Sequence, residues 1–323
     1  MGTDHNERIE ALRNLKQPVL PNDSMAEAGR KVLLGEFITM LQREVGSRIG
    51  TDIEDVHIMR VATRRMRSAY RVLKPYYKPK AIRQFSRQLR QIATALGAVR
   101  DLDVLIFDLE AFRAGLDDAG QEAITQLIAD LDERRTAARD SLKALLDSKA
   151  YRQFVKKYAG FVTQPGEGVI PVKPDSPVPY QVRHILPVLI SERLAAVRAY
   201  EAVLTDDSVN MDTLHALRIE FKRLRYIISL FDEVLGNRVQ EFVTELKVIQ
   251  DHLGRLNDIA SARHRLDLLV DNLDNAYSGV LHTYMESLEA EAPALVSKFP
   301  EVWAHFNSRK VQEKLSSAVL KLR

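Results

Sequence analysis

The chain contains no cysteine in its 323 residues. Without thiols there is no disulfide framework and no thiolate metal site, and the reducing cytoplasm is the compartment that fits. Long apolar runs are also missing. No uninterrupted stretch is long enough to span a bilayer, and the opening MGTDHNERIE lacks the hydrophobic region of a secretory leader. The expectation is therefore a soluble, cytoplasmic protein with no membrane partner. Net charge is small as well, +3 at neutral pH, so any argument about a charged partner rests on where the charges stand. A single tryptophan and 7% aromatics leave little material for base stacking.

What is present is an ordinary apolar fraction, 46%, enough for one large domain or two ordinary ones. The organising stretch is VHIMRVATRRMRSAYRVL, residues 56–73. At helical pitch, His57, Arg60, Arg64, Arg67 and Arg71 fall on one face, in steps of three and four. Ile58, Val61, Ala62, Met66, Ala69, Val72 and Leu73 spread over the opposite face, which must pack on something. Like charges spaced i,i+4 destabilise a helix, and no acid interrupts this run. Solvated faces usually mix signs, so an unmixed stripe is a candidate surface for a polyanion. Pro75 ends the helix. The next helix, running to Leu96 with Gly97 read as its stop, carries a second basic stripe: Lys80, Arg83, Arg87 and Arg90. An antiparallel hairpin would lay the two stripes side by side. Arginine suits such a groove because its planar guanidinium can bond two phosphate oxygens at once.

The pattern recurs. In LHALRIEFKRLRYIISLF, residues 214–231, His215, Arg218, Lys222 and Arg225 stand where His57, Arg60, Arg64 and Arg67 stood. Downstream, Leu89-Arg90, Ile92, Leu96-Gly97 and Asp101 find Leu246-Lys247, Ile249, Leu253-Gly254 and Asp258. An offset held over some forty residues, with one residue of slippage, implies duplication of a helical unit. The second copy is weaker. Ser229 replaces the last arginine of the stripe, and Gln240 and Thr244 replace Arg83 and Arg87, leaving Lys247 to match Arg90. The first half should dominate binding, with Arg255 and Arg263 as further sources of charge in the second.

These motifs, H-x-x-R-x-x-x-[RK]-R-x-R followed by L-G-x-x-R-D-L-D or L-G-x-x-N-D, resemble the CHAD family, named for a conserved histidine α-helical domain. The resemblance spans about residues 24–306. It implies an all-α protein of two tandem helical-bundle halves related by a pseudo-two-fold axis, binding inorganic polyphosphate through the basic helices, including in polyphosphate granules. Family members are often fused to a triphosphate-processing domain, whose E-x-E-x-K signature is not found here. Stripe geometry by itself says only linear polyanion. The alternatives are a general polyanion or nucleic-acid binder, for which Tyr70, Tyr76 and Tyr77 are the only stacking candidates near the stripes, a phosphate-releasing enzyme, and an accessory domain or scaffold that meets an acidic protein. Neither His57 nor His215 has a Ser, Cys or second His at a spacing for a nucleophilic or zinc site. No enzyme activity, cofactor or metal is expected. Near phosphate, these histidines would be drawn toward their charged form.

The organisation expected is a tail or short packed arm over residues 1–23, a first half over 24–162, a Pro/Gly-rich linker over 163–179, a second half over 180–308, and a basic helix or tail over 309–323. The linker holds five prolines and two glycines. Ser24 and Glu27 read as a capping box for a helix reaching about Arg48, with Arg30 and Lys31 as exposed solubilising charges. Asp101 and Asp258, following their glycines, read as helix caps or buried partners in preference to metal ligands. Arg65 and Arg223 point into the apolar stripes on the helical wheel. They are expected to be buried and paired, Arg65 with Asp101 or Asp103 and Arg223 with Asp258 or Glu220, because an unpaired core charge is prohibitive.

Overall fold

The computed structural model describes residues 2–172, 179–204, 210–270 and 277–322. Its described residues are helical throughout, with isolated bridges between Ser24 and Gln181 and between Tyr77 and Val169 in place of strands. The chain folds into two compact units. The first holds residues up to Asp108 together with Ala129–Ile185, and the second holds Leu109–Ile128 and everything from Leu186. Residues 173–178 of the expected linker lie outside the described residues.

In chain order the first eight helices are α1 (Gly2–Asn14), α2 (Met25–Gln42), α3 (Glu44–Ile49), α4 (Ile53–Leu73), α5 (Pro79–Arg113), α6 (Asp118–Asp147), α7 (Lys149–Thr163) and α8 (Val182–Arg198). At the centre of the first unit lies α2, whose Met25, Ala28, Leu33, Leu34, Phe37 and Met40 are fully buried. A helix apolar on nearly every side belongs inside. Helix α4 packs closely along it. A Cβ on Gly29 would stand 2.5 Å from the Leu73 side chain, so glycine is what allows that approach. Helix α7 adds an aromatic layer: Tyr158 stacks 4.9 Å from Phe37 and 5.0 Å from Phe85 of α5, centroid to centroid. The N-terminal segment is a packed helix, with Ile9 and Leu12 buried.

The remaining helices are α9 (Glu201–Leu204), α10 (Met211–Leu230), α11 (Asp232–Leu235), α12 (Asn237–Val270), α13 (Ser278–Glu289), α14 (Ala292–Asn307) and α15 (Arg309–Leu320). Here α12 is the hub, against which α10, α14 and α15 pack. Phe221 meets Trp303 and Phe306 edge-on, and Phe242 completes the cluster. The basic C-terminal segment is helical and buries Val311, Leu315 and Ala318.

Three local expectations are corrected. Ser24 does cap α2, accepting from the Glu27 amide at 3.1 Å, but α2 stops at Gln42 and α3 follows. Arg30 and Lys31 are not exposed. They are buried against Glu27 and Asp23, at 2.5 and 2.7 Å, and Arg30 also donates to the Val162 carbonyl. Asp101 and Asp258 do not cap helices, because Gly97 and Gly254 do not stop them. Both aspartates lie inside the long helices α5 and α12.

Candidate functional site

The α4 helix starts where Asp52 accepts from the Glu54 amide at 2.8 Å, and its buried stripe is Val56, Met59, Ala62, Thr63, Met66, Ala69, Tyr70 and Leu73. With that stripe held on α2, the basic face turns toward α5. The two helices run antiparallel. His57 lies within electrostatic reach of Arg100, Arg60 Nη2 stands 3.8 Å from Asp101 Oδ1, and Arg67 feels Arg71 and Arg90. A Cβ on Gly97 would make only ordinary contact there, 3.8 Å from Arg60 Nε.

Near the α4–α5 connection the helices part into a cleft of about 390 Å³. Arg67, Tyr70, Arg71 and Lys74 form one wall, and Pro79, Ile82, Arg83, Ser86 and Arg90 form the other. A larger concavity of about 920 Å³ runs along the outer face of α5, lined by Lys80, Arg83, Arg87 and the amides of Gln84, Gln88 and Gln91. Residues 56–100 contain twelve lysines and arginines and no acid. Among the described residues no carboxylate pairs with Arg64, Arg67, Arg71, Lys80, Arg83, Arg87 or Arg90. The electrostatics register this. Burial, then the neighbouring Arg71 and Arg90, lower the Arg67 pKa. Burial first, then Arg100, Arg64 and Arg60, lower that of His57 against the opposing pull of Glu54. His57 Nδ1 and Arg64 Nε are buried without a hydrogen-bond partner. The Tyr70 hydroxyl bonds that of Tyr158 at 3.1 Å, and burial holds the Tyr70 phenol well above its ordinary pKa, so the cleft floor stays neutral.

In the second unit α10 carries His215, Arg218, Lys222 and Arg225 and α12 carries Lys247, and the two helices meet at His215 and Arg218 in different surroundings. His215 Nδ1 bonds Asn257 Oδ1 at 2.6 Å, and Asn257 passes a hydrogen bond to Ser261. Arg218 Nη2 lies 3.9 Å from Asp258, matching the Arg60–Asp101 pair. A cleft of about 390 Å³ beside His215 is floored by Met211, Leu214, Leu253 and Leu256. Arg255 adds no open charge because Glu291 takes it at 2.6 Å. The side chain of Arg263 lies outside the described residues.

Neither Arg65 nor Arg223 is buried, and Arg65 does not meet Asp101 or Asp103, although Arg223 does meet Glu220, one of its two expected partners. The Arg65 side chain is 49% exposed and reaches Glu36 at 3.2 Å, and Arg223 is 52% exposed and paired with Glu220. Asp101 and Asp258 are themselves more than half exposed. A long arginine stem can cross apolar surface and leave its head in water, which a helical wheel does not register. The buried carboxylate is Asp103, fully enclosed, with Arg135 and Arg139 of α6 each 3.5 Å from its Oδ1. Two groove residues escaped the sequence reading. Lys74 continues the α4 stripe three residues past Arg71, beyond the helix end. Arg100 occupies the motif position filled by Asn257 in the second copy.

The CHAD domain family model matches residues 31–267. The chain belongs to the CHAD family. Among solved structures, the CHAD domain from the plant Ricinus communis superposes with a TM-score of 0.64 at 21% identity, covering 95% of each chain. PptA from Streptomyces chartreusis gives 0.60 at 16% identity, over 87% of this chain and 99% of the other. At these identities the likeness is one of fold. No curated protein matches the chain. In this CHAD chain no helix among the described residues is long and apolar enough to cross a membrane.

Proposed function

We propose that this chain is a non-catalytic binder of inorganic polyphosphate, and that the antiparallel α4–α5 pair is its principal site. The observation that carries the reading is the set of cations on that pair of which Arg64, Arg67, Arg71, Lys80, Arg83, Arg87 and Arg90 meet no carboxylate among the described residues, Arg60 alone facing Asp101. Successive phosphates would accept charge-assisted, often bidentate hydrogen bonds from these guanidinium groups and release their counterions. His57, Arg60, Arg64, Arg67 and Arg71 form one side of the track and Arg83 and Arg90 the other, with Lys80 and Arg87 on the adjoining concavity of α5. His215, Arg218, Lys222, Arg225 and Lys247 form a weaker counterpart, which we read as the second copy of a duplicated unit with pseudo-two-fold symmetry. The recurrence of an Arg–Asp pair at the same motif position, at 3.8 and 3.9 Å, supports that reading. In a cell such a protein would collect in the cytoplasm where polyphosphate does, on granules.

Binding without catalysis is favoured by the acid-free stretch from residue 56 to 100: the carboxylates near the groove, Asp101 and Glu54, stand at the end away from the cationic cleft. Nucleic acid is the second reading. Against it, Tyr70 and Tyr77 are 4% and 1% exposed, so two of the three aromatic candidates present no face for stacking. The test is a titration with long-chain polyphosphate at two salt concentrations with single-stranded DNA as competitor, for the wild type and an Arg60→Ala/Arg64→Ala/Arg67→Ala variant. Salt-sensitive binding that survives excess DNA and is lost in the folded variant supports polyphosphate. Equal displacement by DNA reduces the site to a general polyanion surface, and absence of binding rejects it.

A further inference from the structure

The α4–α5 groove has two unlike ends. Where α4 passes into α5, residues 74–78 form a wall. Lys74–Tyr76 make one 3-10 turn, and residues 168–170 back the connection: the Lys78 amide donates to the Gly168 carbonyl at 2.8 Å and the Ile170 amide to the Tyr76 carbonyl at 3.0 Å. Tyr77 is pinned from inside, its hydroxyl donating to the Ala26 carbonyl at 2.6 Å. Gly168, at φ +68, fits only because it lacks a side chain; a Cβ would stand 2.7 Å from that of Ala81. This end is therefore built, and five cationic side chains converge on the cleft beside it: Arg67, Arg71, Lys74, Arg83 and Arg90. The Ser86 hydroxyl joins them. At about 390 Å³ the cleft is at the small end of ligand-sized cavities, roughly 300–1,000 Å³. The opposite end is partly neutralised, with Asp101 exposed beside Arg60 and Glu54 acting on His57.

The potential along the groove thus rises toward a wall. A linear polyphosphate is not uniform either. Each internal phosphate carries one charge, whereas a terminal phosphoryl group has a second ionisation, at roughly pH 6 in a phosphate monoester. The most charged part of the ligand is its end, and the most positive part of the groove is the end from which an axial chain has no continuation. Resting on the polyphosphate reading above, we propose that the cleft at the α4–α5 connection seats the terminus of a linear polyphosphate chain, with the internal phosphates leading away past Arg64 toward His57. The cleft then works as a chain-end subsite, and Lys74 and Arg83 set the preference for an end over an internal segment.

The experiment compares long-chain polyphosphate with free ends against the same material with both ends converted to phosphoramidates of a neutral amine, which removes the second ionisation and leaves each end the single charge of an internal phosphate. Affinity is counted per chain at fixed salt for the full protein. End-seating predicts that capping weakens binding at least about tenfold. In a Lys74→Ala/Arg83→Ala variant of wild-type melting temperature, free and capped chains should bind alike, while Arg64→Ala should weaken both equally. Capped chains that bind the wild type as tightly as free ones would overturn the proposal, because the polymer would then turn out over Lys80 and pass on. Failure of both preparations to bind would reject the polyphosphate reading itself.

Discussion

The two motif hairpins carry nearly the same signature in different electrostatic settings. Residues 56–100 hold twelve basic residues and no acid, whereas the corresponding residues 214–257 hold seven basic residues and six acids. In the first, Arg67 is crowded by Arg71 and Arg90. In the second, Arg218 faces Asp258, Arg223 pairs with Glu220 and Arg255 with Glu291. Even acids near the second hairpin are drawn into structure: Glu245 is held below its usual pKa by hydrogen bonds from Lys314 and His305, which anchor α15 and α14 to α12. On the proposed reading, the signature is a scaffold for an anion groove, and the acids around it decide whether that groove stays open or is neutralised by its own protein.

The comparison is broken most forcefully by charge reversal. Arg67→Glu/Arg71→Glu/Arg83→Glu should lower polyphosphate affinity by at least about 100-fold at low salt, since three attractions are replaced by three repulsions. Arg218→Ala/Lys222→Ala/Arg225→Ala should cost only several-fold. Equal losses in the two variants, measured by titration, would mean that the hairpins contribute alike and that local neutralisation does not matter.

The hairpins also differ in what lies beneath them. In the first, Asp103 is fully enclosed between Arg135 and Arg139; the same motif position in the second is Ala260. Removing a buried partner strands the opposing charges. Because both arginines keep some access to water, Asp103→Ala should cost about 2 kcal/mol, at the low end for such a change. That corresponds to a fall in Tm of roughly 4–8 °C for a unit of this size. Affinity of the folded protein for polyphosphate should not change. An unaltered melt would show that Asp103 is as dispensable as Ala260 implies for its counterpart.

The converse experiment builds the second groove up. Gln240 and Thr244 occupy the positions of Arg83 and Arg87 and are exposed or half-exposed. Gln240→Arg/Thr244→Arg should raise affinity for long chains about three- to fivefold and steepen its salt dependence. No gain would mean that the acids on α12, Glu241 and Glu245, set the limit.

Much of this was legible in the residues. The all-helical fold and the helical pitch of residues 56–73 and 214–230 follow from spacing, because a helix converts steps of three and four into a line. What the pattern could not separate was a glycine that ends a helix from one inside it. Gly97 is the second kind, and reading it as a stop made Asp101 a cap. Partners from distant elements were equally hidden. Arg135 and Arg139 sit in a run of mixed charge that reads as solvated, yet they meet Asp103. Arg30 and Lys31 look like surface cations until Glu27 and Asp23 close over them. Arg65 failed in the opposite sense, since a wheel gives the direction of a Cβ and not the end of a long side chain.

The finest contrast is between the two histidines. His57 is half-buried among Arg60 and Arg64 of its own helix and Arg100 of α5, with Glu54 the one acid acting on it. His215 is exposed and already bonded to Asn257. Burial and the three arginines hold the folded pKa of His57 below its unfolded value of 6.5. The unfolded state therefore binds the proton more readily, and the contribution of His57 to stability is lost as pH falls from about 6.5 through the lowered folded value. A polyphosphate laid against the same arginines supplies the missing negative charge and reverses the shift. Comparing melts at pH 7.5 and 5.5, His57→Gln should reduce the acid-induced fall in Tm by about a degree without ligand. With saturating polyphosphate the difference between His57→Gln and wild type should vanish or change sign, whereas His215→Gln should leave both melts unaffected. A His57→Gln protein whose acid sensitivity matched wild type in both conditions would place the imidazole outside the field of the groove.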